Sequence, residues 1–134
     1  KLKNFGWPIS SYGYHYYPSD ELTKIAPLFK SHIKYGFEEP LKEFTPSIGV
    51  SQVIRVPQNL LNSKNYNILV GGMGKNIDEG DLSLHFFSLN NNFKIEKHHI
   101  LPINERVRDI VVNNSNNKIY LFLETSGSIG IIEK

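Results

Sequence analysis

The hydrophobic pattern of the chain changes near residue 44. Before that point there is little periodicity. After it, short β-rich runs recur at 52–56, 67–73, 82–89, 93–101, 106–112, 118–123 and 128–132, each ended by turn-forming residues. Leu89-Asn90-Asn91-Asn92-Phe93 predicts a hairpin turn between two of these runs, and Asn113-Asn114-Ser115-Asn116-Asn117 predicts another, because Asn tolerates the left-handed conformation such turns need. Seven short strands with close, regular turns predict an antiparallel all-β architecture. Four of them lie between residues 52 and 101 and three between 106 and 132. A four-stranded meander recurring at roughly 40–50 residues is the pattern of a β-propeller blade. A β-sandwich uses the same strands, and strand number alone leaves both architectures open.

Residues 1–40 are rich in aromatics, Gly and Pro and predict ordered loop. Pro8 and Pro18 forbid regular helix there, while Gly6 and Gly13 permit positive φ. Ser19-Asp20-Glu21-Leu22 predicts a capped helical turn through Ile25, cut short by Pro27. Helix is expected to be minor and confined to these first 40 residues.

Composition narrows the class. At 134 residues the chain suits one domain with a real core, and 40% hydrophobic with 21% charged residues is ordinary globular usage. A net charge of +2, from 15 basic and 13 acidic residues, supplies no field to attract nucleic acid or an anionic membrane. The absence of cysteine excludes disulfides and thiolate metal sites. No run approaches the ~18 apolar residues of a membrane-spanning helix. The sequence begins at Lys1 rather than Met, so the lack of a visible signal peptide carries little weight, and an upstream segment is expected.

Five segments, in order and covering almost the whole chain, carry a family resemblance. Phe5-Gly6-Trp7-Pro8 followed by Ser11-Tyr12-Gly13 is similar to an Asn-Tyr-Gly-Trp-Pro…Ser/Thr-Tyr-Gly loop. Pro46-Ser47-Ile48-Gly49-Val50-Ser51 is similar to Pro-Ser/Thr-x-Ala-x-Ser, and Ile68-Leu69-Val70-Gly71 to Leu-Phe-Val-Gly. Asn104-Glu105-Arg106-Val107-Arg108-Asp109-Ile110 matches an Arg-x-Arg-Asp-Val strand, and the stretch from Ile119 to Gly127 a Leu-Tyr-Val-Leu-Thr-Asp-x-x-Gly ending. Together they resemble the glucose/sorbosone dehydrogenases, the soluble quinoprotein aldose dehydrogenases.

The resemblance implies a six-bladed β-propeller with pyrroloquinoline quinone at the mouth of its channel. It covers only the C-terminal portion, about two blades: residues 1–43 as an inter-blade loop region, 44–104 as one blade and 105–134 as most of the last. In the family, the last blade is completed by a strand from the protein's own N-terminus. The implied activity is oxidation of an aldose sugar to its lactone, with electrons passed to an external acceptor, in a periplasmic or secreted setting. A non-catalytic propeller that binds a ligand or partner protein is the alternative. A lactone hydrolase on the same scaffold is a third reading and would need a carboxylate-ligated metal. A partial propeller exposes blade faces and a strand edge, so association of like copies is expected.

The resemblance also implies site residues. Arg106 and Arg108, two apart on a strand, project from one face, and their planar forks suit the carboxylates of the quinone. Both guanidinium groups are expected to point into open space. The competing reading is the solvent face of an edge strand. Lys75 stands one residue later than the family's cofactor lysine, in Gly71-Gly72-Met73-Gly74-Lys75, and is equally an ordinary loop lysine beside Asp78-Glu79-Gly80-Asp81. Ser47 occupies the place of a cofactor-side hydroxyl, or is a turn hydroxyl after Pro46. The family's catalytic base lies upstream, so no catalytic role falls to His15, His32, His85, His98 or His99. His98 and His99 are strand neighbours facing opposite ways, a poor arrangement for one metal ion. Trp7, Tyr12, Tyr14, Tyr16 and Tyr17 suit stacking on a sugar or quinone, or plain packing. Calcium, which the family binds near this loop, stays open because its acidic ligands lie upstream.

Overall fold

A computed structural model describes residues 2–13, 15, 19–25, 28, 31–74 and 82–134. Two compact units divide the chain, Lys1–Ser47 and Ile48–Lys134. The second unit holds all seven strands found among the described residues: β1 (Val50–Val56), β2 (Tyr66–Gly72), β3 (Ser83–Leu89), β4 (Ile95–Pro102), β5 (Val107–Asn113), β6 (Lys118–Leu123) and β7 (Ser128–Ile132). They form two antiparallel sheets, one of four strands in the order β1-β2-β3-β4 and one of three in the order β5-β6-β7. Neither sheet closes on itself, and the all-β expectation holds for this unit.

Both Asn-rich turns form as their chemistry requires. The Asn90 side-chain oxygen accepts the backbone N–H groups of Asn92 and Lys94, and Phe93 takes a positive φ. Asn113 and Asn116 do the same for Ser115 and Lys118, with Asn117 at φ 54°.

The core lies between the sheets. Cross-strand pairing sets Ile54, Leu69, Leu84 and Phe86 on one inner face and Ile110, Ile119, Leu121 and Ile132 on the other. Leu84 and Val107 are fully buried, and burial of such side chains contributes roughly 1.5–3 kcal/mol each. Close approach of the sheets depends on Gly71. A methyl there would stand 2.7 Å from Ser51 Oγ and 3.2 Å from both Ile110 Cδ1 and Val107 Cγ1. Ser51 fills that gap from β1: its Oγ lies 3.2 Å from the Gly71 carbonyl oxygen and 2.5 Å from that of Val107, so one hydroxyl bridges the two sheets. Gln52 adds a second link, its amide donating to Asp109 at 3.3 Å.

Helix is minor but not confined to the first 40 residues. The expected turn forms as α1 (Asp20–Ile25) in the first unit, followed by a 3₁₀ turn at Ile33–Tyr35. A further short helix, α2 (Gln58–Leu61), follows β1. Pro57 precedes it, Asn62 ends it in the left-handed conformation, and Leu60 drops into the inter-sheet core, which is why four residues suffice.

The first unit is loop held by polar contacts. Glu38 N–H donates to the Asn4 carbonyl at 2.9 Å, and Lys3 pairs with the Glu38 carboxylate at 3.0 Å. Gly6, at φ 87°, turns the backbone where a side chain would strike the Phe37 ring at 2.8 Å. Buried His32 stacks on Tyr12 with ring centroids 5.0 Å apart.

Candidate functional site

The second sheet sets up the arginines. Arg106 immediately precedes β5 and Arg108 sits within it, at a bulge between Val107 and Asp109, and both side chains reach Glu124 and Met73. Across the sheet, the Glu124 backbone N–H donates to the Arg106 carbonyl at 3.0 Å, which fixes the end of β6 beside the pair. The Glu124 carboxylate then lies 3.5 Å from each guanidinium, Oε1 to Arg106 and Oε2 to Arg108.

Both arginines also clasp Met73, just past the end of β2. Arg106 Nε donates to its carbonyl at 2.9 Å, and Arg108 places a guanidinium nitrogen 3.0 Å from its sulfur. Met73 itself is anchored, its N–H donating to the Gly49 carbonyl at 2.9 Å. The expectation that both guanidinium groups face open space is therefore corrected. They are about half exposed, and a carboxylate of the same chain stands between them.

Among the described residues, two guanidiniums face one carboxylate, so the group carries one more positive charge than that carboxylate balances. Glu124 Oε2 is buried and makes no hydrogen bond among the described residues; at 3.5 Å the Arg108 contact is ionic attraction without a hydrogen bond. An anion with planar oxygens fits such a place, because each guanidinium keeps N–H donors in a fixed fork. Donor type and charge thus fit the carboxylates of a quinone cofactor.

The other expected residues fall elsewhere. Ser47 closes the first unit, exposed, where with Trp7, His15, Phe44 and Pro46 it lines a cavity of about 510 Å³. Lys75 lies outside the described residues, as do Tyr14, Tyr16, Tyr17, Pro18 and Pro27. His98 and His99 do face opposite ways: His98 stacks on Phe87, His99 against Phe86. No group of three or more His, Asp or Glu side chains gathers for a metal among the described residues, so the calcium and metallohydrolase readings find no ligand set there. Ser10, His32 and Glu39 come together, but Ser10 Oγ at 3.3 Å and Glu39 Oε2 at 3.9 Å approach the same ring nitrogen. A hydrolytic relay needs the acid and the hydroxyl on opposite ring nitrogens, so this group is a packing network.

Sequence reasoning missed Glu124, Met73 and Ser51 as parts of this arrangement. All three lie in segments that carry the family resemblance or its lysine loop, and strand pairing and sheet stacking are what give them their partners.

An open pair of antiparallel sheets presenting twin arginines at a loop end defines a class: an all-β protein with an arginine pair at one end of a strand. The chain belongs to the glucose/sorbosone dehydrogenase family, whose family model matches residues 1–131. Neither comparison with curated proteins nor with solved structures returns a match. No helix among the described residues is long and apolar enough to cross a membrane.

Proposed function

We propose that this chain is the C-terminal part of a quinoprotein that oxidises an aldose sugar to its lactone, with pyrroloquinoline quinone as cofactor and an external electron acceptor. The single observation that carries the reading is the arginine pair, two guanidiniums converging on one carboxylate among the described residues, in a chain of this family.

On this reading β1–β4, within 44–104, are one propeller blade and β5–β7, within 105–134, most of another, while 1–43 connects blades. Arg106 and Arg108 hold the quinone's carboxylates, with Lys75 and Ser47 as further cofactor-side residues. The quinone, when bound, supplies the two-electron acceptor for the sugar. This chain's residues bind and orient it: the strand pairing fixes both guanidiniums, and Met73 limits their rotation. The proton of the sugar hydroxyl goes to a base outside this chain, so the 134 residues alone are inactive. A periplasmic or secreted setting suits such a reaction.

The three-stranded sheet also supports association. Its outer face carries Val111, Phe122, Ile129 and Ile131, all exposed. Like copies, or earlier blades of the same protein, are suited to cover it.

The test is quinone binding by the protein with its upstream sequence. Sugar-dependent reduction of an artificial electron acceptor should require added quinone, and loss of Arg106 or Arg108 should raise the quinone concentration needed. Full activity without quinone would defeat the proposal.

A further inference from the structure

Away from the arginines, β3 and β4 bring two imidazoles together. His85 Nδ1 and His98 Nε2 are 3.0 Å apart, and their rings incline by 23° with centroids at 5.2 Å. His85 is buried, at 5% exposure, whereas His98 is exposed on the edge strand. Phe87, directly opposite His98 in the ladder, stacks on it at 4.3 Å and 15°. The strand pairing sets both residues side by side on one face before any ligand arrives.

We propose that His85 and His98 form a two-imidazole site for a divalent transition-metal ion, Cu2+ first and Ni2+ second. Two ring nitrogens this close share one proton, and a metal ion takes the place of that proton, since imidazole binds metal in its neutral form. Metal–nitrogen bonds of about 2.0–2.1 Å across a 3.0 Å separation subtend about 91–97° at the metal. That is the angle between neighbouring positions of a square-planar or tetragonal ion; a tetrahedral ion such as Zn2+ needs the nitrogens about 3.3–3.4 Å apart. Exposed His98 supplies the entry side and turns about its side-chain bonds to aim its lone pair. The Irving–Williams order places Cu2+ ahead of Ni2+ at nitrogen ligands. His99, one residue away, takes no part because it stands on the other face against Phe86.

The experiment is titration of the chain with CuCl2 alone, followed by calorimetry and by the electron paramagnetic resonance of the bound ion. Wild type should bind one Cu2+ with a tetragonal signal split by nitrogen. His98→Ala, at an exposed position whose fold is checked by circular dichroism, should weaken binding by at least about tenfold, and His99→Ala should leave it unchanged. Wild-type affinity in His98→Ala, or an equal loss in His99→Ala, overturns the proposal. So does wild type that binds no Cu2+.

Discussion

Replacing Gly71 with Ala places a methyl where the two sheets approach most closely. The new Cβ lies 2.7 Å from Ser51 Oγ, well inside contact distance, and 3.2 Å from the Ile110 and Val107 side chains. Ser51 can turn away only by abandoning the carbonyl oxygens of Val107 and Gly71, a loss of about 1 kcal/mol. Ile110 and Val107 belong to the buried core and have little room to yield. Overpacking of this kind costs typically ~1–3 kcal/mol. With a urea slope of about 1–3 kcal/mol/M, the unfolding midpoint should fall by about 1 M. The assay is urea unfolding of wild type, Gly71→Ala, Ser51→Ala and the double variant. Removing Ser51 Oγ relieves the tightest contact, so Gly71→Ala should cost at least ~0.5 kcal/mol less in the Ser51→Ala background. Strictly additive effects would refute the claim that this hydroxyl and this glycine jointly set the sheet spacing.

Other perturbations test other parts of the account. Glu124→Gln removes the carboxylate between the arginines; as a partly exposed pair its loss should cost under ~1 kcal/mol of stability, while quinone affinity rises by up to about fivefold, both read by titration and thermal unfolding. The hydrogen bond from Tyr12, with another from the Ile33 N–H, holds the Glu39 carboxyl below its usual range. A lowered folded-state pKa means this stabilisation is present above the unfolded value of about 4.3 and is lost as pH falls through the folded value. Tyr12→Phe should therefore flatten the acid limb of the stability curve below about pH 4.3, and an unchanged limb would count against the network. Light scattering at rising concentration should show the isolated chain associating, and Ile129→Lys with Ile131→Lys should suppress that; a chain that stays monomeric would contradict the exposed-face argument.

Strand positions were legible because strand runs and Asn turns are local signals. Lys118–Leu123 and Ser128–Ile132 fell where the pattern put them, and the other strands within a residue or two. The short helix Gln58–Leu61 escaped because one buried residue, Leu60, sustains it, and no periodicity accumulates over four residues. Pairing register escaped for a different reason. A single bulge between Ser88 and Leu89 shifts β4 by one residue, which sets His98 rather than His99 on the face of His85 and Phe87. Ser51 meets Val107, 56 residues on, only because the sheets stack. The arginine pair was visible as a motif, but its counter-ion Glu124 stands just past the end of β6, and spacing along the chain does not reveal it.

The most direct test of the central claim is equilibrium titration of pyrroloquinoline quinone into the protein, carrying its upstream sequence, and into its Arg108→Ala and Arg108→Lys variants. Loss of charge-assisted hydrogen bonds should weaken binding in Arg108→Ala by about 1.5–3 kcal/mol, roughly tenfold to 150-fold. Arg108→Lys should recover only part of that, because an ammonium lacks the planar fork. Wild-type affinity in Arg108→Ala would contradict the account and return this strand to a solvated face.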